Sequence, residues 1–291
     1  MSTRKERAAR RAGEFPPPPE PLAVPVFDSH THLDMTVSFV EDAGGPGSSV
    51  ESLIDAAAKA GVDRLVQVGV DVASSKWSAE LAARDERVLA AVALHPNDAP
   101  QVSDLDEALR EIEALAGLPR VRGVGETGLD TFRTGDYGRA AQETSFRAHI
   151  AIAKRHGKAL IIHDRDAHAD VLRVLDSEGA PETVILHCFS GDAGFAAECV
   201  RRGYLLSFAG VVTFGSAGQL REAAVVTPVE QILVETDAPY LTPMPYRGRP
   251  NASYLIPLTV RALAETKGVD LDELCAAIST TGERVLGPWA G

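Results

Sequence analysis

The stretch Val24-Pro25-Val26-Phe27-Asp28-Ser29-His30-Thr31-His32 reads as a short buried strand closed by two metal-ligand residues. Four later stretches repeat the design: RVRGVGE (120–126), KALIIH (158–163), TVILH (183–187) and QILVETD (231–237). They end on Glu126, His163, His187 and Asp237. Six candidate ligands therefore fall at the same end of five apolar runs. Side chains from strand ends that are far apart in sequence meet only if the strands are parallel and closed, as at the mouth of a barrel.

Working outward, strand-like and helix-like segments alternate along the chain. Strands are expected at residues 26–32, 64–70, 88–94, 121–126, 159–163, 183–187, 204–208 and 232–237, all short and rich in Val, Ile and Leu. That composition suits strands covered on both faces. Helical patterns lie at 50–60, 105–116, 141–154, 167–177 and 193–202, and Gly61, Gly117, Gly157, Gly179 and Gly203 follow as stops. Eight such units predict a (β/α)₈ barrel formed by residues 25–291 as one domain, with helices at 255–267 and 271–285 closing it. An open doubly wound sheet is the rival, but it would not bring the first and last strands together.

Composition sets the outer limits. The chain has 291 residues and 45% apolar content, ample for one extensive core, and no apolar run approaches a membrane span. Residues 1–24 differ: five basic residues in the first eleven, then a proline run, predict a disordered, solvated tail. Arg10-Arg11 lacks the apolar stretch of a twin-arginine signal. Cys188, Cys199 and Cys275 are irregularly spaced and read as reduced thiols of a cytoplasmic protein. Cys188 is expected to turn away from His187 against a helix, because neighbours on a strand face opposite sides. A net charge of −12 opposes a protein that coats duplex DNA, though not an enzyme that grips a few phosphates locally. A monomer is expected.

The local chemistry favours a metal centre. His30 and His32 stand at i and i+2 of a strand, so both imidazoles reach the same side. Glu126 stands among Gly123, Gly125 and Gly128, and a carboxylate, unlike an imidazole, readily bridges two cations. His163 and His187 each follow an unbroken apolar run, where an unpartnered imidazole is costly. Asp237 would lie beside His30 and His32 only in a closed barrel; there it can ligate and accept a proton from water.

The motifs DSHTHLD, GVGETGLD, IIHDRDAH, HCFSG and ETDAPYLTP, in this order, resemble the TatD family of metal-dependent deoxyribonucleases. The resemblance implies a binuclear site, with His30, His32, Glu126 and Asp237 on one cation and Glu126, His163 and His187 on the other. It implies hydrolysis of DNA from the 3′ ends of single strands by a hydroxide bridged between the cations, Glu126 and Asp237 acting as catalytic residues. Mg²⁺ is implied for activity, whereas the histidine-rich donors suit Zn²⁺ or Mn²⁺. The chain departs from the family pattern in two loops. Thr131 and then Phe132 follow Gly-Leu-Asp, where an aromatic residue often comes first. Asn251 is followed by Ala252 and Ser253 rather than Glu-Pro.

Around this centre, His95, Arg165, Ser190 and Arg247 are candidate substrate contacts, with Gly191 offering a backbone N–H and Arg249 a phosphate contact or a solvated charge. His149, His156 and His168 fall in helical stretches and are expected at the surface. Two other functions compete: hydrolysis of an amide or aminoacyl ester, including deacylation of mischarged tRNA, and a non-catalytic binding protein on the same barrel.

Overall fold

The alternation folds into eight strands: β1 (Val26–Thr31), β2 (Val62–Val68), β3 (Val88–Val92), β4 (Val121–Asp130), β5 (Ala159–Arg165), β6 (Val184–Leu186), β7 (Leu205–Phe208) and β8 (Ile232–Val234). The computed structural model describes residues 14–43 and 49–289. Every strand pairs in parallel with the next in chain order. Thr31 bridges Ala238 in parallel, and the Asp237 and His32 N–H groups donate to the His30 and Ala238 carbonyls, each at 2.9 Å. The first and last strands thus meet, and the fold is the expected barrel rather than an open sheet.

The helices are α1 (Leu33–Ala43), α2 (Val50–Lys59), α3 (Val72–Arg84), α4 (Leu105–Ala116), α5 (Asp136–His156), α6 (His168–Glu178), α7 (Ala193–Arg201), α8 (Gly218–Val226), α9 (Ile256–Lys267) and α10 (Leu271–Val285). Three of these, α1, α3 and α8, escaped the sequence reading. The reason is clearest in α3, whose buried face is made of Ser75, Ser78, Ala79, Leu81 and Ala82. Small residues let the helix approach the barrel closely but leave little apolar stripe to detect. No helix among the described residues is long and apolar enough to cross a membrane.

Strand lengths differ from expectation where it matters. β6 and β8 end at Leu186 and Val234, so His187 and Asp237 lie beyond the ends of their strands. Conversely, β4 and β5 run on as a pair to Asp130 and Arg165, with a register shift between Val124 and Thr127. Such an irregularity re-aims side chains, and Glu126 sits within it.

The segment 14–24 is packed, which corrects the expectation of a solvated tail ending at residue 24. Phe15 and Leu22 are buried, and the Leu22 N–H donates to the Ala60 carbonyl at 3.1 Å. Proline lacks an N–H but keeps its carbonyl, and side chains around α9 supply the missing donors. Tyr254 Oη donates to the Pro16 carbonyl at 2.5 Å, and Arg261 to those of Glu20 and Pro21. Arg249 donates to the carbonyls of Glu14 and Phe15 at 2.7 and 2.5 Å. It is therefore a structural clamp, neither a phosphate contact nor a free charge. The basic residues 1–13 lie outside the described part of the chain.

Candidate active site

All six candidate ligands converge at the C-terminal mouth of the barrel. Glu126 is the centre of the arrangement, because its two carboxylate oxygens face different partners. Oε1 lies 3.7 Å from Nε2 of both His30 and His32. Oε2 lies 3.2 Å from His163 Nδ1 and 2.8 Å from His187 Nε2. Asp237 Oδ1 closes the first side, 3.9 Å from His30 Nε2 and 3.5 Å from His32 Nε2. The His30 and His187 rings stack with centroids 4.0 Å apart, so the two sides adjoin.

Tautomers follow from the surrounding partners. A carbonyl can only accept, so His32 Nδ1–H donates to Val68 O at 3.0 Å and Nε2 is the nitrogen turned to the site. His187 Nδ1–H likewise donates to Glu235 Oε1 at 3.2 Å, an oxygen that also accepts the Cys188 N–H at 2.8 Å. His30 Nδ1 is buried and has no partner among the described residues. Nε2 of His30 and Nε2 of His32 are 3.3 Å apart and face the carboxylates. Lone pairs of buried imidazole and carboxylate groups converging this closely repel unless a positive charge lies among them. Protons or divalent cations meet that need, and this mixed N/O donor set fits divalent cations.

The same competition shifts the acid–base equilibria. Burial works against charge on His32, but Asp237 and Glu126 outweigh it and raise the imidazole to about 9. Burial likewise opposes charge on His187, where Glu126 and Glu235 prevail and raise it well above its usual value. For Glu126, burial favours the neutral acid, yet His187 and His95 hold it well below the carboxylate range. Proton and cation therefore contend for the same nitrogens. Cation affinity is expected to fall as pH drops below about 9, by up to about tenfold per pH unit for each proton displaced. Calorimetry in buffers of different ionisation enthalpy should show proton release on binding. Affinity flat from pH 6 to 9 would contradict it.

His95 stands apart from this donor set although its Nε2 is 3.8 Å from Glu126 Oε2. The Asn97 N–H donates to His95 Nδ1 at 3.0 Å, which leaves the hydrogen on Nε2. Burial holds the imidazole down at about 4 against the pull of Glu126, so it is neutral at pH 7. His95 is thus built as a hydrogen-bond donor into the cavity, not as a lone-pair ligand. His149 explains its placement and corrects the surface reading of that residue. It is fully buried in α5, and its Nε2 accepts the N–H of Leu94, the residue before His95, at 3.1 Å. His156 and His168 are partly exposed, as expected, beside Glu113 and Asp164.

The sequence profile described as "TatD related DNase" matches residues 27–287. The chain belongs to the TatD family. It is 48% identical over 266 residues to "Uncharacterized metal-dependent hydrolase TatD" of Mycobacterium tuberculosis, spanning 90% of this chain and 98% of that one. It is 34% identical over 245 residues to "3'-5' ssDNA/RNA exonuclease TatD" of Citrobacter rodentium, spanning 81% and 91%. The crystal structure of YJJV, a TatD homolog from Escherichia coli, superposes with a TM-score of 0.82 at 26% identity, covering 90% of this chain and 98% of that one. This TatD-family barrel accordingly belongs among metal-dependent hydrolases.

The TatD-family site opens into a cavity of about 640 Å³, lined by the candidate ligands other than His30 and by Asn97, Asp130, Arg133, Arg165, Ser190 and Tyr240 among others. Arg165 and Ser190 thus reach the site as expected. Arg247 does not line the cavity; its guanidinium lies 4.5 Å from the Phe214 ring centroid instead. Cys188 does line it, against the expectation that it packs on a helix. β6 has already ended, and φ of +43° at Cys188 breaks the strand alternation on which that expectation rested. Burial, then Glu235 and Asp237, push its thiol well above the usual range, so it remains protonated.

Two carboxylates behind the histidines were missed. Asp130 Oδ2 lies 3.2 Å from His163 Nε2 and is itself held by Asn97 Nδ2 at 3.0 Å. Glu235 backs His187 in the same way. Such partners fix ring orientation and raise ligand basicity.

Proposed function

We propose that this TatD-family hydrolase cleaves phosphodiester bonds at the 3′ ends of single-stranded DNA, using two divalent cations shared across Glu126, with Mg²⁺ favoured. The observation that carries the reading is the two-sided carboxylate. His30 and His32, with Asp237 beside them, face one oxygen of Glu126, and His163 and His187 face the other. The named exonuclease relative from Citrobacter rodentium supports the same substrate class.

Divalent cations held by His30, His32, Glu126, His163, His187 and Asp237 would lower the pKa of a bound water and offset charge on the phosphoryl oxygens. The chain's own residues do the rest. Glu126 holds the two donor sets in register, while Asp237, half-buried and open to the cavity, accepts the proton of the attacking water. His95 Nε2–H donates to the departing 3′-oxygen or to a phosphoryl oxygen. Arg165 holds a non-bridging phosphate oxygen at the mouth. The acidic body repels long duplexes while the mouth attracts a strand end, so few phosphates are engaged and salt dependence is shallow.

The test is a chelate-and-restore assay on 5′-labelled single-stranded and duplex DNA, with an aminoacyl ester and an amide in parallel. Mg²⁺ should restore a ladder of products shortened from the 3′ end of the single strand. Restored turnover of ester or amide with none of DNA would overturn the phosphodiester reading.

A further inference from the structure

Burial accounts for most aromatic residues of the barrel; Phe39, Phe132, Tyr137 and Tyr240 are left open to solvent, and two of them are tied to the metal centre. Phe132 is 66% exposed and Tyr240 is 50% exposed. The backbone of each is anchored from below by residues of the metal centre. The N–H groups of Phe132 and Arg133 donate to Asp130 Oδ1 at 3.0 and 2.7 Å, and Asp130 backs His163. The Tyr240 N–H donates to the carbonyl of Asp237 at 2.9 Å, and Asn251 Nδ2 grips the Tyr240 carbonyl at 2.6 Å. The buried Asn251 of the divergent loop thus serves to fix Tyr240.

Cationic groups accompany both rings. The Arg165 guanidinium sits 4.4 Å from the Phe132 ring centroid, and Arg133, Arg165 and Tyr240 all line the cavity. A ring covered by a guanidinium on one side and two-thirds exposed offers its other face for stacking. Exposed aromatics on an anchored backbone, interleaved with arginines, suit flipped-out bases joined by phosphates. A small ester or amide substrate would have no use for them.

We propose that Phe132 and Tyr240 are nucleobase-stacking residues, and that Arg133 holds an adjoining phosphate, so that together they select unstacked strand ends. The inference rests on the phosphodiester reading and names the specificity device of that site. It also accounts for the displaced motif: with Thr131 intervening, the aromatic ring rides at the rim beside Arg165 instead of next to Asp130.

The test compares two single-stranded oligonucleotides in the cation-loaded enzyme, one intact and one carrying abasic residues at its last two 3′ positions. Binding is followed separately by fluorescence anisotropy. The wild type should favour the intact end by at least roughly 5-fold and up to about 150-fold in kcat/KM, the range set by stacking of a single base. Phe132→Ala and Tyr240→Ala should each shrink that preference towards unity through KM, and Phe132→Trp should retain it. A preference unchanged in both alanine variants, or an equal loss on both oligonucleotides, overturns the proposal. Base-dependent binding by a wild type that cleaves neither oligonucleotide would sink the phosphodiester reading and leave the stacking residues standing. No binding of either would sink both.

Discussion

Glu126→Ala should lower kcat/KM on single-stranded DNA by at least about 10³-fold, equivalent to some 4 kcal/mol of transition-state stabilisation. Other ligands serve one side of the centre, whereas Glu126 presents an oxygen to each side. Its removal leaves His30, His32 and Asp237 as one incomplete set and His163 and His187 as another. It also removes one of the two charges that draw His187 well above its ordinary pKa. Glu126→Gln is the informative companion, since an amide keeps the shape but offers one neutral oxygen and two N–H donors. It should lose nearly as much activity while folding normally by circular dichroism. Retention of full activity in either variant would dismiss the shared carboxylate.

A second large effect is expected from a residue with no chemistry of its own. Gly128 has φ of +139°, and a Cβ there would lie 2.1 Å from the His163 carbonyl oxygen on the neighbouring strand. Gly128→Ala must therefore both strain the backbone and push β4 from β5 where Glu126 and His163 face each other. Backbone strain and overpacking each cost about 1–3 kcal/mol. A loss of roughly 3–5 kcal/mol in urea unfolding is expected, with cation affinity reduced in whatever protein remains folded. A change below about 1 kcal/mol would show that the two strands are not packed as described.

The barrel and its convergent ligands were legible because both depend on strong, periodic signals. Short Val/Ile/Leu runs alternating with helical patterns leave few topologies, and a ligand at the same end of each run is hard to place otherwise. What stayed hidden depended on local backbone detail. The register shift that turns Glu126 inward and the positive φ that brings Cys188 to the cavity leave no mark in composition. Other misses carried a signal that was available. Glu235 stands at i and i+2 with Asp237, the same spacing that singled out His30 and His32. His149 shares the buried face of α5 with Gln142, Ser145, Phe146, Ile150 and Ala153, a helical spacing that separates it from a surface histidine. The tail was misjudged for a different reason. Its prolines predict an extended chain, correctly, but an extended chain with free carbonyls is held once Arg249, Tyr254 and Arg261 are placed beside it.

The central claim is that one carboxylate joins two cation sites in a single cup. Titration of the protein with Mn²⁺, followed by electron paramagnetic resonance, examines it most directly. The wild type should bind two ions per chain and give the spectrum of a spin-coupled pair, as expected for ions about 3.5–4 Å apart. Glu126→Ala should give isolated, weakly held Mn²⁺ only. An uncoupled signal from the wild type at every loading would contradict the account.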